Sequence, residues 1–124
     1  MNTNQSSATG KILRVDLSQG QIQEEVLDEA TLRKYLGGTG LGMKYLSEEV
    51  DHELDWSDPK NIFFLGSGTL GGTRIPGCAS ISIVTKGAMT NGATSTQANG
   101  NCGAYMKWCG YYGILIQGAS PTWK

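Results

Sequence analysis

Lys11-Ile12-Leu13-Arg14-Val15-Asp16-Leu17 alternates apolar and polar residues, the two-residue period of a strand with one covered face. Gln21 to Leu27 is its predicted partner, with Ser18-Gln19-Gly20 as the turn. Asp28 then caps a predicted helix over Glu29 to Leu36, with Arg33 and Lys34 near its end, and Gly37-Gly38 stops it. A second short helix is predicted from about Gly40 through Met43 and Tyr45 to Glu49, followed by a polar link from Asp51 to Lys60. Beyond it, Asn61 to Leu65 and Ala79 to Thr85 read as strands, and Gly87 to Gly92 as a turn. Gly100 to Trp108 reads as a short helix and Tyr112 to Gln117 as a last strand. This order lacks the regular alternation of a doubly wound sheet and predicts an α+β domain, a mixed or antiparallel β-sheet with short helices. Residues 1–9 are expected to be a disordered tail before a single domain over 10–124.

Composition sharpens this picture in three places. The 18 glycines are about twice the usual share of roughly 7%, so much of the backbone is built to turn or to lie close against something. The net charge of −1 conceals an asymmetry: residues 1–58 hold five Lys/Arg against eleven Asp/Glu, whereas residues 59–124 hold five Lys/Arg and no acid. A basic, glycine-rich half suits a small anionic ligand, because no carboxylate competes for its N–H groups and cations; chance clustering is the alternative. Cys78, Cys102 and Cys109 fit no zinc or iron–sulfur spacing, so reduced, partly buried thiols are expected, with no metal site of the chain's own. No apolar run approaches the roughly 20 residues of a membrane span, and no secretion signal is legible. A cytoplasmic location follows, without a membrane or nucleic-acid partner.

Four motifs carry candidate chemistry. Gly66-Ser67-Gly68-Thr69-Leu70-Gly71 matches GxGxxG after a predicted strand, yet Gly72, Pro76 and Gly77 break what should be the following helix, and no acid lies about 20 residues on to hold a ribose. An irregular, glycine-permitted loop is the favoured reading. Gly37-Gly38-Thr39-Gly40-Leu41-Gly42 reads either as helix capping and close packing or as a ligand-contacting loop, with the Thr39 hydroxyl available. Thr94 to Asn101, small and polar, leads into the helix predicted near Gly100, where amides and hydroxyls beside free N–H groups suit a phosphate or a heterocycle edge; ordinary capping by Asn99 or Asn101 is the alternative. His52, the single histidine, reads as a surface residue, and Cys102, Cys109, Tyr105 and Met106 as one helical core face.

Five segments stand in a recognisable order. They are Gly10 to Ser18, Tyr35 to Leu41, Gly68 to Thr73, Val84 to Gly87, and Gly103-Ala104-Tyr105-Met106-Lys107-Trp108-Cys109-Gly110-Tyr111. Together they resemble, over nearly the whole chain, the N-terminal domain of the tungsten-dependent aldehyde:ferredoxin oxidoreductases and their relatives. The resemblance implies a base for a tungsten- or molybdenum-pterin cofactor in enzymes of anaerobic metabolism that oxidise aldehydes to carboxylic acids. Electrons in that family pass through a [4Fe–4S] cluster to ferredoxin. By matching positions, Gln97, Ala98, Asn99 and Gly100 would fall on the family's pterin-contacting loop, with Gln97 at its asparagine.

The resemblance also marks two departures. The family often has an arginine where Ser80 stands, and a serine cannot replace that charge; Arg74 is the candidate to approach the same anion from the loop. The cluster cysteines, further pterin motifs and catalytic acid/base residues of the family have no counterpart here. The expectation is therefore a partial pterin-cradle domain, without catalytic residues or cluster ligands. It would be inactive alone and would depend on the remainder of the enzyme or a larger catalytic subunit. The alternative is a non-catalytic accessory subunit or relic that binds a larger oxidoreductase partner.

Overall fold

A computed structural model describes residues 10–122, so the tail expected over 1–9 lies outside the described residues. The first hairpin forms as its pattern predicts: β1 (Gly10–Asp16) pairs antiparallel with β2 (Gln21–Leu27), and the Asp16 carboxylate accepts the Ser18 and Gln19 N–H groups in the turn. Asp28 caps α1 (Glu29–Tyr35) by accepting from the Thr31 N–H at 2.8 Å. Leu36, left-handed at φ 62°, ends that helix; Gly37 follows at φ 94°, and α2 (Gly38–Glu49) begins at once. Gly38 is therefore the first residue of the second helix and not part of a stop before it.

β3 (Ile62–Ser67), β4 (Ile81–Lys86) and β5 (Ala93–Ala98) form an antiparallel run. After α3 (Cys102–Trp108), the last strand β6 (Tyr111–Gln117) enters the middle of the sheet, parallel to β1 and antiparallel to β3. The order is β2-β1-β6-β3-β4-β5, a mixed six-stranded sheet of the expected α+β class. One element was not foreseen: residues 94–98, expected as part of a loop, are edge strand. Thr94 and Thr96 are β-branched, and the ladder to β4 satisfies their backbone although every β5 side chain stays exposed.

The core lies on one face only. Ile12, Phe64, Val84 and Leu115 are fully buried beneath Leu41 and Tyr45 of α2. The alternate residues point the other way and form two apolar rows: Leu13, Ile114, Leu65 and Ile83 in one, Ile22, Val15, Ile116 and Phe63 in the other. These are half-buried or exposed, Ile22 reaching 67% exposure, so a continuous apolar face is left open.

Two devices fix α2 to the sheet. At Gly42 a Cβ would lie 2.7 Å from both Phe64 and Val84, so only glycine allows the helix this close. At the far end, the Arg14 guanidinium donates to Glu25 and to Glu49, while the Tyr45 hydroxyl donates to Glu25 at 2.6 Å, tying β1, β2 and α2 together. Burial opposes ionisation of Glu25, but the Tyr45 and Arg14 donors outweigh it and hold the carboxyl below its ordinary value of 4.5.

Gly42→Val is expected to destabilise the chain by about 1–3 kcal/mol, since its neighbours are fully buried and cannot withdraw; thermal denaturation measures this. A second expectation concerns pH. Because the Glu25 carboxyl is depressed on folding, its contribution is complete above about 4.5 and is lost as pH falls through the depressed value. The gap in urea midpoint between the native chain and Glu25→Gln should therefore be wide at neutral pH and close on acidification.

Candidate functional site

Two glycine loops that are far apart in sequence meet at an isolated antiparallel bridge, Gly37 to Gly68. Between and above them opens a cleft of about 500 Å³. Gly37 to Gly40 form one wall, Gly68 to Gly71 the other, and Cys78, Ser80, Ser82 and Gln97 close its sides. Ser82 and Gln97 are paired across β4 and β5, which puts both on the face where α2 lies. No Asp, Glu, Lys or Arg lines the cleft.

The cleft is held open by close approaches. A Cβ at Gly37 would lie 2.8 Å from the Ser67 carbonyl, and one at Gly103 2.7 Å from the carbonyls of Ala79 and Ser80. The 68–72 loop leans on α3: the Trp108 indole N–H donates to the Gly72 carbonyl at 2.8 Å, and the Lys107 stem packs behind Gly71. The Lys107 amine lies 3.0 Å from the Tyr112 ring centroid; burial pushes it down to about 8, while the ring face favours the ammonium. Thr39 and Ser95 share a hydroxyl–hydroxyl hydrogen bond of 3.1 Å, which joins α2 to the edge strand.

Of the residues singled out in the sequence, Ser80 and Gln97 line the cleft. Asn99 reaches it indirectly, accepting from the Ser80 hydroxyl at 3.0 Å. Ala98, Gly100 and Arg74 are exposed and line no part of it. The capping expected of Asn99 or Asn101 is not made: the residue before α3 is Asn101, and it gives no side-chain cap. α3 is a seven-residue prop whose buried side holds Gly103, Ala104 and Met106, while Cys102, Tyr105 and Cys109 are exposed. The expected core face of Cys102, Tyr105, Met106 and Cys109 thus holds only at Met106: Gly103 and Ala104 turn inward beside it, and at Gly103 a side chain would meet the Ala79 and Ser80 carbonyls. Cys78 alone of the three thiols is half-buried, its S–H donating to the Ile75 carbonyl.

The glycine walls and Ser82 are the site residues that sequence reading underweighted. The 37–42 glycines were open to a ligand role, but their partner loop lies some thirty residues away, and no local signal announces the bridge. His52, 91% exposed beside Asp51 and Glu53, is remote from the cleft. A larger cavity of about 740 Å³ lies on the outer side of α2, between Tyr35, Met43, Leu46, Val50 and the Asn91–Ala93 turn. Its lining includes Gly40 and His52 but none of Ser80, Gln97 and Asn99, so the smaller cleft is the better candidate on chemistry. Among the described residues no three His, Cys, Asp or Glu side chains gather to hold a metal, and no helix is long and apolar enough to cross a membrane.

Comparison with known proteins matches residues 12–124 to the family "Aldehyde ferredoxin oxidoreductase, N-terminal domain". A tungsten-containing aldehyde ferredoxin oxidoreductase of Pyrococcus horikoshii is 36% identical over 109 residues, 88% of this chain and 18% of the relative. The WOR-like subunit of an aliphatic sulfonate oxidoreductase of Pyrococcus furiosus is 36% identical over 116 residues, 91% of this chain and 18% of that subunit. Among solved structures, the active site complex BamBC of benzoyl coenzyme A reductase, bound to 1,5-dienoyl-CoA, superposes with a TM-score of 0.89. Sequence identity there is 31%, over 93% of this chain and 18% of that one. The chain thus spans less than a fifth of the length of these relatives, and it belongs to the aldehyde ferredoxin oxidoreductase family, as an N-terminal domain of that family.

Proposed function

We propose that this domain is the floor of a tungsten- or molybdenum-pterin site in a larger oxidoreductase that converts aldehydes to carboxylic acids with ferredoxin as electron acceptor. The observation that carries the reading is the bridged pair of glycine loops, which floors a cleft free of carboxylates in a chain whose relatives are named as tungsten enzymes. The residues fit such a group: bare backbone on two walls admits a flat, anionic ring system closely, and the amide of Gln97 and hydroxyls of Ser80 and Ser82 suit its polar edges. When bound, the cofactor supplies the two-electron chemistry. The chain's own part is to orient it and exclude water: Ser80, oriented by Asn99, and Gln97 fix the edge, while α3 keeps the 68–72 loop from moving.

The remaining parts come from elsewhere in this reading. Cys78, Cys102 and Cys109 do not gather, so a [4Fe–4S] cluster would take its cysteines from the rest of the enzyme. That remainder is also the natural cover for the open apolar face of the sheet. The alternative, an accessory subunit or relic on a larger partner, is favoured by one observation: no cation lines the cleft.

The chain produced in cells that make the pterin cofactor is the test, with pterin read by fluorescence after oxidation and metal by elemental analysis. Bound pterin near one equivalent, reduced in Gln97→Ala, is expected; a folded chain carrying none sinks the cradle and leaves the accessory reading.

A further inference from the structure

We propose that Lys107 is a covalent binding site for aldehydes, its side-chain amine condensing with the carbonyl to an imine. The lysine belongs to α3 and lines no part of the cleft. Its stem packs behind Gly71, where a Cβ would stand 3.3 Å from it, and the loop that holds it is pinned by Trp108. The side chain is therefore kept in place, part of its surface reaching solvent, with the amine on the face of the Tyr112 ring.

Among the described residues no oxygen accepts from that amine. The other two lysines with covered side chains have acceptors: Lys44 pairs with Glu48, and Lys86 donates to three carbonyls. A ring face attracts a cation but does not replace the three acceptors that suit an ammonium. Burial without a counter-ion favours the neutral amine, which is the nucleophilic form. In the condensation the nitrogen lone pair adds to the carbonyl carbon. Both amine hydrogens pass to the carbonyl oxygen, which leaves as water, and a C=N bond remains. No oxidant, reductant or further reactant is consumed. The imine is neutral and carries no N–H, so it removes the charge and the unsatisfied donors together. An acyl donor would leave an amide whose N–H still lacks an acceptor, and this favours an aldehyde.

The inference rests on the proposed oxidoreductase only for the source of the aldehyde. Propionaldehyde with cyanoborohydride at neutral pH is the probe: each imine is reduced to a stable propylamine, which peptide mass spectrometry locates. Lys107 is expected to react about tenfold faster than the exposed Lys34 and Lys60, because a weaker hold on the proton raises the free-base fraction more than it lowers nucleophilicity. In urea, where the fold is lost, the three rates should converge. Lys107→Arg should lose the fast adduct and leave the other two unchanged. A folded chain in which Lys107 reacts no faster than Lys34 and Lys60, or a lead that survives in urea, overturns the site. Pterin content separates the two ideas: a fast adduct at Lys107 in a chain that never carries pterin supports the site and sinks the cradle, whereas bound pterin with an unreactive Lys107 does the reverse.

Discussion

The ring of Phe64 occupies the volume in which three side chains would otherwise begin. Cβ atoms at Gly42 on α2, Gly66 on β3 and Gly113 on β6 would all collide with it. A large ring surrounded by bare backbone lets the helix lie close to the sheet, which favours dispersion and apolar burial. The height of α2 above the sheet is set there, four residues from the helix start. The position of Gly38 to Gly40 relative to Ser82 and Gly68 follows from it, so the geometry of the cleft is a consequence of core packing several ångströms away.

Support for the cleft divides between two helices with different jobs. α2 presents its first turn to the cleft and buries its middle. α3 stays behind the cleft, where Trp108 anchors Gly72 and Gly103 lies flat against the 79–80 backbone. On the opposite flank, Lys86 is buried with its ammonium donating to the carbonyls of Asp51, His52 and Leu54 at 3.1, 2.8 and 2.6 Å, which clips the irregular link after α2 to the end of β4. A buried ammonium satisfied by three carbonyls is a stable fixture, and losing any one of them would leave one of its N–H donors without a partner.

Much of this was legible where the signal is local. The β1–β2 hairpin announces itself through alternation and a turn organised by Asp16, and α1 through the Asp28 cap. β5 was not legible, because Ala93 to Ala98 has no apolar alternation: an edge strand exposed on both faces owes its conformation to β4 and not to its own residues. β4 is instructive in another way. Its covered face holds Ser82, Val84 and Lys86, while Ile81 and Ile83 look outward, the reverse of what hydropathy alone would assign. The cleft itself depends on contacts between residues about thirty positions apart, and a glycine that bridges reads in sequence like a glycine that merely turns.

The placement of β6 has a kinetic consequence. The sixth strand in chain order is the one that enters the centre of the sheet, between β1, made about a hundred residues earlier, and β3. Until it arrives, the β1–β2 hairpin and the β3–β4–β5 meander have no shared hydrogen bonds, and the core beneath α2 lacks Tyr112 and Leu115. Closing so long a loop delays the pairing that rewards it, so folding should be slow for a domain of this size and completed only after synthesis of the strand. Until β6 emerges, nascent chains would hold this domain as two half-sheets with unpaired inner edges, the state in which a chaperone has most to shield.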